Sequence, residues 1–422
     1  MVRLFLTLLV TTTLLAQSPD ESYYSGSFAV ADFSTDLHLK VIRTDNETKV
    51  FFSSLQQNAL EIPAKTIKAT DDSLFFDLRS DRYHYQFRTA LTQSAMNGEL
   101  AIEGRSYPIS LQSTDQLITE AFAKKDVRLK SGNLYLYGSI YYPRNPNGRA
   151  IYFVNSSGNS DRSASRAEAI FLSHQGFITF HTDKRGTGIS DGNWQNASIR
   201  DLCVDDMKAI EFLSESERMP LEKIGIKGSS QGASKIPYIL EKMPQVGFAV
   251  MVSCPGATLL ESDLNHWKNN TRDQLSDAEH KKATSLQGSI YHYIAGNRSR
   301  REVNRQIEAN RNESWINTVW IPDLKEVDQD EKLNYSPIPH LAAIQQPLLL
   351  IQGENDKVIP ANSLELLEYH LPKNVADRST FIRIPNADHS LMIQNTEFPY
   401  WPILHKDYYP QLTKWLTNTD LP

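Results

Sequence analysis

Three residues, Ser230, Asp356 and His389, are of the types that together activate a serine nucleophile. In such a group the histidine takes the serine proton as the serine oxygen attacks an acyl carbonyl, and the acid fixes the imidazole tautomer. Residues 228–232 read Gly-Ser-Ser-Gln-Gly and stand between a strand-like and a helix-like run. At such a junction a Gly-x-Ser-x-Gly sequence forms a sharp turn that lifts the central hydroxyl off the sheet. The sequence therefore predicts Ser230 as a nucleophile.

The candidate acid and histidine each follow a short apolar run. Residues 347–353 read Pro-Leu-Leu-Leu-Ile-Gln-Gly and predict a buried parallel strand, with Asp356 just beyond its carboxyl end. Residues 381–385 predict another strand, followed by a loop that carries His389. Ligands bind beyond the carboxyl ends of the strands in open α/β sheets, so we expect the three residues to converge in one crevice.

Two other acids compete for the same role. Glu354 lies two residues before Asp356, and Asp388 is adjacent to His389. Asp356 is preferred because it comes three residues after the strand-closing Gly353, with a Val-Ile-Pro helix start behind it. Asp356 could instead brace a turn, and His389 is one of eleven histidines.

The elements that must position these residues alternate between strands and helices. Strands are predicted at residues 126–130, 135–142, 150–155, 178–181, 223–227, 248–254, 348–352 and 379–384, and helices at 163–175, 201–214 and 233–242. This alternation indicates a mostly parallel sheet covered on both faces. Between residues 255 and 337 the strand pattern stops, and charged, helix-favouring residues take over around scattered aromatics. Those aromatics could line an apolar substrate pocket or form a small core of their own.

Residues 18–112 differ in texture from the rest of the chain. Short apolar alternations are separated by turn residues such as Thr-Asp-Asn at 44–46 and Met-Asn-Gly at 96–98. Many short strands at regular spacing indicate a small antiparallel β-barrel or sandwich, with a linker at about 113–123. Scaffolding or oligomer contact is the plain interpretation of this domain, and lipid or sugar binding is the alternative.

Two further motifs carry a resemblance to a known family. Residues 155–162 read Asn-Ser-Ser-Gly-Asn-Ser-Asp-Arg, and residues 183–190 read Asp-Lys-Arg-Gly-Thr-Gly-Ile-Ser. With the segments above, they make the chain resemble the α/β-hydrolase superfamily from about residue 124 to 422. More narrowly it resembles bacterial secreted esterases, with a serine aminopeptidase-like hydrolase domain and an N-terminal β-domain. Ser156 and Asn159 stand where that family has glycine and proline.

The resemblance implies a helical lid at about residues 256–336 and a loop that helps to stabilise the oxyanion. The amide of Gln231 is placed for that task by the turn at Ser230, and the resemblance implies the amide of Ser157 as the second donor. Four further residues are interpreted as structural, pairing to hold the loops around the pocket: Asp161, Arg162, Asp183 and Arg185.

Composition and charge exclude other classes. The net charge of −6 argues against a nucleic-acid partner, which would favour a basic surface. The sequence has no His-Glu-x-x-His and no paired Cys-x-x-Cys, so neither a metal nor another cofactor is expected. The arginines at 298, 300, 301 and 305 are interpreted as a solvated helix face.

The first residues predict a signal peptide at 1–16. Arg3 provides the positive end, residues 4–15 are an apolar stretch, and Ala16 is a small residue before the cut. The stretch is too short to span a bilayer, and no cysteine follows it to accept a lipid, so we expect export to a periplasm or the medium without a stable membrane anchor. Cys203 and Cys254 are interpreted as buried thiols, with a single bridge left open.

The predicted function is a serine carboxylesterase acting on a small acyl ester. A serine exopeptidase of the same fold is one alternative, since both reactions use one set of catalytic residues. It needs a carboxylate to anchor the substrate amine, and Glu302 and Glu308 lie instead among arginines that offer surface pairing. A non-catalytic binding protein that retains the fold is the other alternative.

Overall fold

The computed structural model describes residues 20–79, 84–92, 94–115, 123–396, 398–419 and 421. These residues form two compact units: the second contains residues 55–60 and everything after residue 118, and the first contains the rest. The predicted signal peptide and most of the predicted linker lie outside the described residues.

The first unit is built on an antiparallel sheet that nearly closes on itself. In the described part of the chain it has nine strands in the order β4-β3-β2-β1-β9-β8-β7-β6-β5. The strands are β1 (Asp20–Val30), β2 (Phe33–Arg43), β3 (Thr48–Ser54), β4 (Ala59–Pro63), β5 (Lys65–Ala69), β6 (Ser73–Arg79), β7 (His84–Leu91), β8 (Ala95–Ile102) and β9 (Arg105–Ser113). Along β2, every second residue is buried and the residues between are more exposed, which is the period of two expected for one buried face; the buried residues are Phe33, Thr35, Leu37, Leu39 and Val41. The prediction of an antiparallel β-domain is confirmed.

Residues 55–60 interrupt the first unit and group with the second. Leu60 is buried in a core of the second unit, and its carbonyl accepts a hydrogen bond from Arg166 at 3.4 Å. The Tyr409 hydroxyl donates to the side-chain oxygen of Asn58. The core of the second unit is therefore assembled from residues far apart in the sequence.

The second unit is built on a mixed sheet. Its eight strands within the described residues follow the order β10-β11-β13-β12-β14-β15-β16-β17. They are β10 (Ala123–Ser131), β11 (Leu134–Tyr142), β12 (Ala150–Val154), β13 (Ile178–Thr182), β14 (Ile224–Ser229), β15 (Phe248–Val252), β16 (Leu348–Gly353) and β17 (Thr380–Ile384). The pairs that involve β11 are antiparallel, and all pairs from β13 through β12 to β17 are parallel. This is the strand order of the predicted α/β-hydrolase fold, and that prediction is confirmed.

Helices cover both faces of this sheet. They are α1 (Arg166–His174), α2 (Ile199–Glu217), α3 (Gln231–Lys242), α4 (Leu259–Thr271), α5 (Asp277–Ile294), α6 (Arg300–Asn310), α7 (Ile338–Leu341), α8 (Ser363–His370), α9 (Lys373–Ala376) and α10 (Tyr408–Asn418). A short antiparallel pair, β18 (Met392–Ile393) and β19 (Ile403–Leu404), precedes α10. None of these helices is both long enough and apolar enough to cross a bilayer.

The strands of the parallel part are buried on both faces. Leu348 and Leu350 of β16 belong to one core, which includes residues of α2, α3 and α8, while Leu349 and Ile351 belong to another, which includes residues of α1 and α10. Consecutive residues thus serve opposite faces, and this explains why the strand is a continuous apolar run rather than an alternating one. Two other core residues, Cys203 and Cys254, are free, buried thiols.

The segment between β15 and α7 contains α4, α5 and α6 and has its own core. Trp267 and Trp315 are buried there with Ile290 and Val303. Trp320, in contrast, is 51% exposed. Most of the aromatics in this segment therefore serve its internal packing.

Candidate active site

Ser230 lies in the sharp turn between β14 and α3. Its backbone has φ 53° and ψ −123°. This conformation is strained for any residue other than glycine and persists only where the surrounding structure enforces it. A Cβ on Gly228 would lie 2.5 Å from the carbonyl carbon of Gly232, and one on Gly232 would lie 2.7 Å from the carbonyl oxygen of Val154. The two glycines are thus required by close backbone approach, as in a nucleophile elbow.

The structure brings the three predicted residues into one hydrogen-bonded line. His389 Nε2 lies 2.9 Å from Ser230 Oγ, and His389 Nδ1 lies 2.8 Å from Asp356 Oδ2. The carboxylate of Asp356 is buried, while the imidazole retains some exposure. This geometry allows Nε2 to take the serine proton while the carboxylate stabilises the imidazolium.

The loop that carries Asp356 is held by backbone groups. The second carboxylate oxygen, Oδ1, accepts hydrogen bonds from the amides of Val358 at 2.8 Å and Ile359 at 3.2 Å. A Cβ on Gly353 would lie 2.2 Å from the carbonyl oxygen of Ala387, so the acid and histidine loops pack backbone to backbone. This close contact fixes the distance between the two side chains.

The competing acids have other partners. Glu354 is exposed, and its amide donates to the carbonyl of Ile384. Asp388 Oδ1 accepts from the amides of Ser390 and Met392, at 2.8 Å and 2.9 Å, so it shapes the turn after the histidine. Among the three acids, Asp356 is the one that the structure places on the imidazole.

The loop after β12 lies against the elbow. The hydroxyl of Ser156 donates to the carbonyl of Ser229 at 2.9 Å. Ser157 is exposed, and no acceptor for its amide occurs among the described residues. Gln231 is the first residue of α3, so its amide has no acceptor within the helix. Both amides that the sequence analysis named are therefore available as donors.

A lysine that the sequence analysis did not single out contacts the same loop. Lys184 is 3% exposed, and its Nζ donates to the carbonyl of Ser156 at 2.9 Å and to the carbonyl of Gly158. The ammonium also lies 4.4 Å from the centre of the Trp194 ring. Burial lowers the pKa of Lys184 to about 8, and the nearby charge of Lys235 acts in the same direction. The only sequence signal was its place beside Asp183 in the 183–190 motif.

A buried ion pair supports the start of this loop. Lys235 Nζ and Asp206 Oδ2 are 2.6 Å apart, and both side chains are almost fully buried. Asp206 Oδ1 also accepts from the Tyr152 hydroxyl at 2.8 Å and from the amide of Asn155 at 3.3 Å. Burial raises the pKa of Asp206, and the charge of Lys235 opposes that shift. The pair is satisfied on both sides, as a buried charge must be.

The four residues interpreted as structural do make structural contacts, though not all with each other. Asp183 accepts from the side chain of Arg162 at 2.7 Å and from its amide at 3.0 Å. Arg185 pairs instead with Asp205 of α2, at 2.6 Å. Asp161 accepts from the backbone amide at position 163, at 2.8 Å, and caps the short helical turn before α1.

The segment between β15 and β16 has one acid in an unusual setting. Glu302 pairs with Arg298 at 3.2 Å and Glu308 with Arg311 at 3.3 Å, both on the surface. Asp263 of α4 is reached by solvent, yet the surrounding protein desolvates it enough to raise its pKa to about 6, and Asp330 adds repulsion. No group of histidine, cysteine, aspartate or glutamate able to hold a metal ion was found in the described ranges.

Solved structures of several hydrolases are similar to this chain. An esterase of Pyrococcus furiosus is 15% identical, with a TM-score of 0.45, covering 71% of this chain and 89% of that one. Proline iminopeptidase of Mycobacterium smegmatis is 14% identical, with a TM-score of 0.45 and coverage of 70% and 97%. The 2-hydroxy-6-oxo-6-phenylhexa-2,4-dienoate hydrolase of Rhodococcus sp. strain RHA1 is 13% identical, with a TM-score of 0.43 and coverage of 71% and 99%. Such low identities and scores support no inference about the substrate.

Sequence comparison gives the family. No curated protein matches the chain significantly. Residues 207–417 match the model of the BAAT / acyl-CoA thioester hydrolase C-terminal family, and this region is half of the 422 residues. It contains Ser230, Asp356 and His389. The chain therefore belongs to the BAAT / acyl-CoA thioester hydrolase C-terminal family.

Proposed function

We propose that the protein is a serine hydrolase that cleaves carboxylic esters through Ser230, His389 and Asp356. The observation that carries the proposal is the hydrogen-bonded line from the Asp356 carboxylate through the imidazole to the Ser230 hydroxyl. The strained backbone at Ser230 supports it, because such strain is found where function requires a particular orientation.

The proposed reaction has two steps. His389 Nε2 takes the Ser230 proton as Oγ attacks the acyl carbonyl, and the imidazolium then gives this proton to the leaving alcohol. Water attacks the acyl-enzyme in the second step, with the same histidine as base. The amides of Gln231 and Ser157 would donate to the oxyanion that forms in each step, which is the interaction that strengthens most in the transition state.

Acyl thioesters are the second candidate substrates. The family description names acyl-CoA thioester hydrolases, and a thioester reacts through the same serine, histidine and oxyanion donors. Nothing in the elbow distinguishes an alcohol from a thiol as leaving group.

One panel of substrates tests the proposal. The purified protein would be incubated with p-nitrophenyl esters, matched acyl thioesters and aminoacyl-nitroanilides, and separately with a fluorophosphonate probe located by mass spectrometry. We expect labelling of Ser230 and turnover of short acyl esters with a much larger specificity constant than that of the nitroanilides. A larger constant for the nitroanilides would replace the esterase proposal by the exopeptidase alternative. Absence of both labelling and turnover would favour a binding protein.

A further inference from the structure

The ammonium group of Lys184 holds two carbonyls of the loop after β12. It donates to the carbonyl of Ser156 at 2.9 Å and to the carbonyl of Gly158. These two residues flank Ser157, which is proposed as the second oxyanion donor. Building on the proposed function, we propose that Lys184 is a positioning residue for acyl transfer: it keeps the Ser157 amide turned toward the acyl oxygen at Ser230.

The geometry of the peptide bond links the lysine to the amide. In a planar trans peptide the carbonyl and the following N–H point in opposite directions. The carbonyl of Ser156 is directed at Lys184 Nζ, so the N–H of Ser157 is directed away from the lysine. Rotation of this peptide plane would break the hydrogen bond to the ammonium, which is stronger than one between neutral groups.

A second hydrogen bond connects the loop after β12 to the elbow. The Ser156 hydroxyl donates to the carbonyl of Ser229, the residue next to the nucleophile. At the start of the loop, the amide of Asn155 donates to Asp206 Oδ1. Because Lys184 binds the carbonyls of Ser156 and Gly158, the backbone from 155 to 158 has a partner at each end, while the Ser157 amide is left without an acceptor in the described structure.

The pKa of Lys184 is low enough that loss of its proton can be detected as a change in rate between pH 6 and 10. The groups that face it are Lys235, paired with Asp206, and Lys332, which pairs with Asp330 at 2.9 Å. Burial and both lysines lower the pKa of Lys184, Asp206 opposes this, and the resulting pKa is about 8. Above this pH the neutral amine holds the carbonyls less strongly. We therefore expect kcat to fall as the pH rises through about 8, with little change in KM.

Two substitutions at Lys184 test the inference, with p-nitrophenyl butanoate as substrate between pH 6 and 10. Lys184→Met should lower kcat by about 10²-fold or more, the range seen when one oxyanion donor is lost, and should change KM by less than about threefold. Lys184→Arg should recover part of kcat and abolish the fall near pH 8, since a guanidinium stays charged there. Lys332→Met is the matched control: it should keep kcat and move the basic limb to higher pH.

The outcomes separate this inference from the proposed function. A folded Lys184→Met variant with the kcat and pH profile of the native protein would overturn the inference and leave the esterase proposal standing. If that variant does not fold, the native protein and Lys184→Arg decide, and a native kcat that stays flat from pH 7 to 10 overturns the inference. A native protein with neither turnover nor Ser230 labelling overturns both.

Discussion

The elbow and the loop after β12 lie side by side but are fixed by different means. At the elbow the restraint is steric: a Cβ on Gly228 would lie 2.5 Å from the carbonyl carbon of Gly232, and one on Gly232 would lie 2.7 Å from the carbonyl oxygen of Val154. In the loop the restraint comes from side chains far away in the sequence, above all Lys184 and Asp206. The glycines that the first restraint requires stand together in a short motif, whereas the charged side chains of the second come from other parts of the fold.

This difference separates two kinds of variant. Changes at the elbow or the histidine should abolish the chemistry without unfolding the protein. Changes in the distant support should alter rates, pH dependence or stability by smaller amounts.

Replacing Ser230 with alanine should have the largest effect. The change removes the nucleophile, and loss of a catalytic serine costs about a million-fold in turnover, with only oxyanion and binding contributions left. Ser229→Ala is the control, because its side chain accepts from Lys227 at 3.2 Å and does not contact the histidine. The measurements are kcat on a p-nitrophenyl ester and the thermal midpoint of both variants. A Ser230→Ala variant that kept a few per cent of the native activity would show that another residue is the nucleophile.

Replacing Asp356 with asparagine should have the next largest effect. An amide in this position favours the wrong imidazole tautomer, and the loss in kcat is about 10⁴-fold. Glu354→Gln is the control and should retain native kcat, since Glu354 is exposed and two residues away. If Glu354→Gln lost more activity than Asp356→Asn, the assignment of the acid would be wrong.

The sequence predicted the structure correctly where a local residue pattern determines it. The run at 347–353 and the elbow pentapeptide predicted β16 and the β14-to-α3 turn, because a buried parallel strand is continuously apolar and the turn tolerates only glycine at two positions. The settings of Lys184 and Asp263 were not predicted, because no local residue pattern marks them. Each looks like an ordinary surface residue in the sequence, and its altered pKa arises from atoms brought close by folding.

The packing of residues 55–60 is another feature that the sequence alone did not predict. Leu60 is 3% exposed and belongs to a core of the second unit, so Leu60→Ala should lower the free energy of unfolding by about 2–5 kcal/mol. Leu55→Ala is the matched control within the same segment, since Leu55 is 55% exposed and should change stability by less than about 0.5 kcal/mol. Chemical denaturation followed by tryptophan fluorescence measures both. Equal effects of the two substitutions would contradict the placement of Leu60 in the core.

The smallest effect is expected at Asp263, where it should depend on pH. Its pKa is raised to about 6 in the folded protein, mainly by desolvation, so the folded state binds the proton more tightly than the unfolded state does. Ionisation therefore costs stability, and this cost appears as the pH rises from about 4 through about 6. Asp263→Asn should raise the free energy of unfolding at pH 7 by less than about 1 kcal/mol, because solvent screens an exposed carboxylate, and should give no gain at pH 4.

Glu308→Gln is the control for this change, since Glu308 is exposed and paired with Arg311 on the surface. Its effect should not vary in the same way between pH 4 and 7. Thermal denaturation of both variants at the two pH values gives the comparison. A loss of stability in Asp263→Asn at pH 7 would mean that the carboxylate has a favourable partner in the folded state, contrary to the direction of its pKa shift.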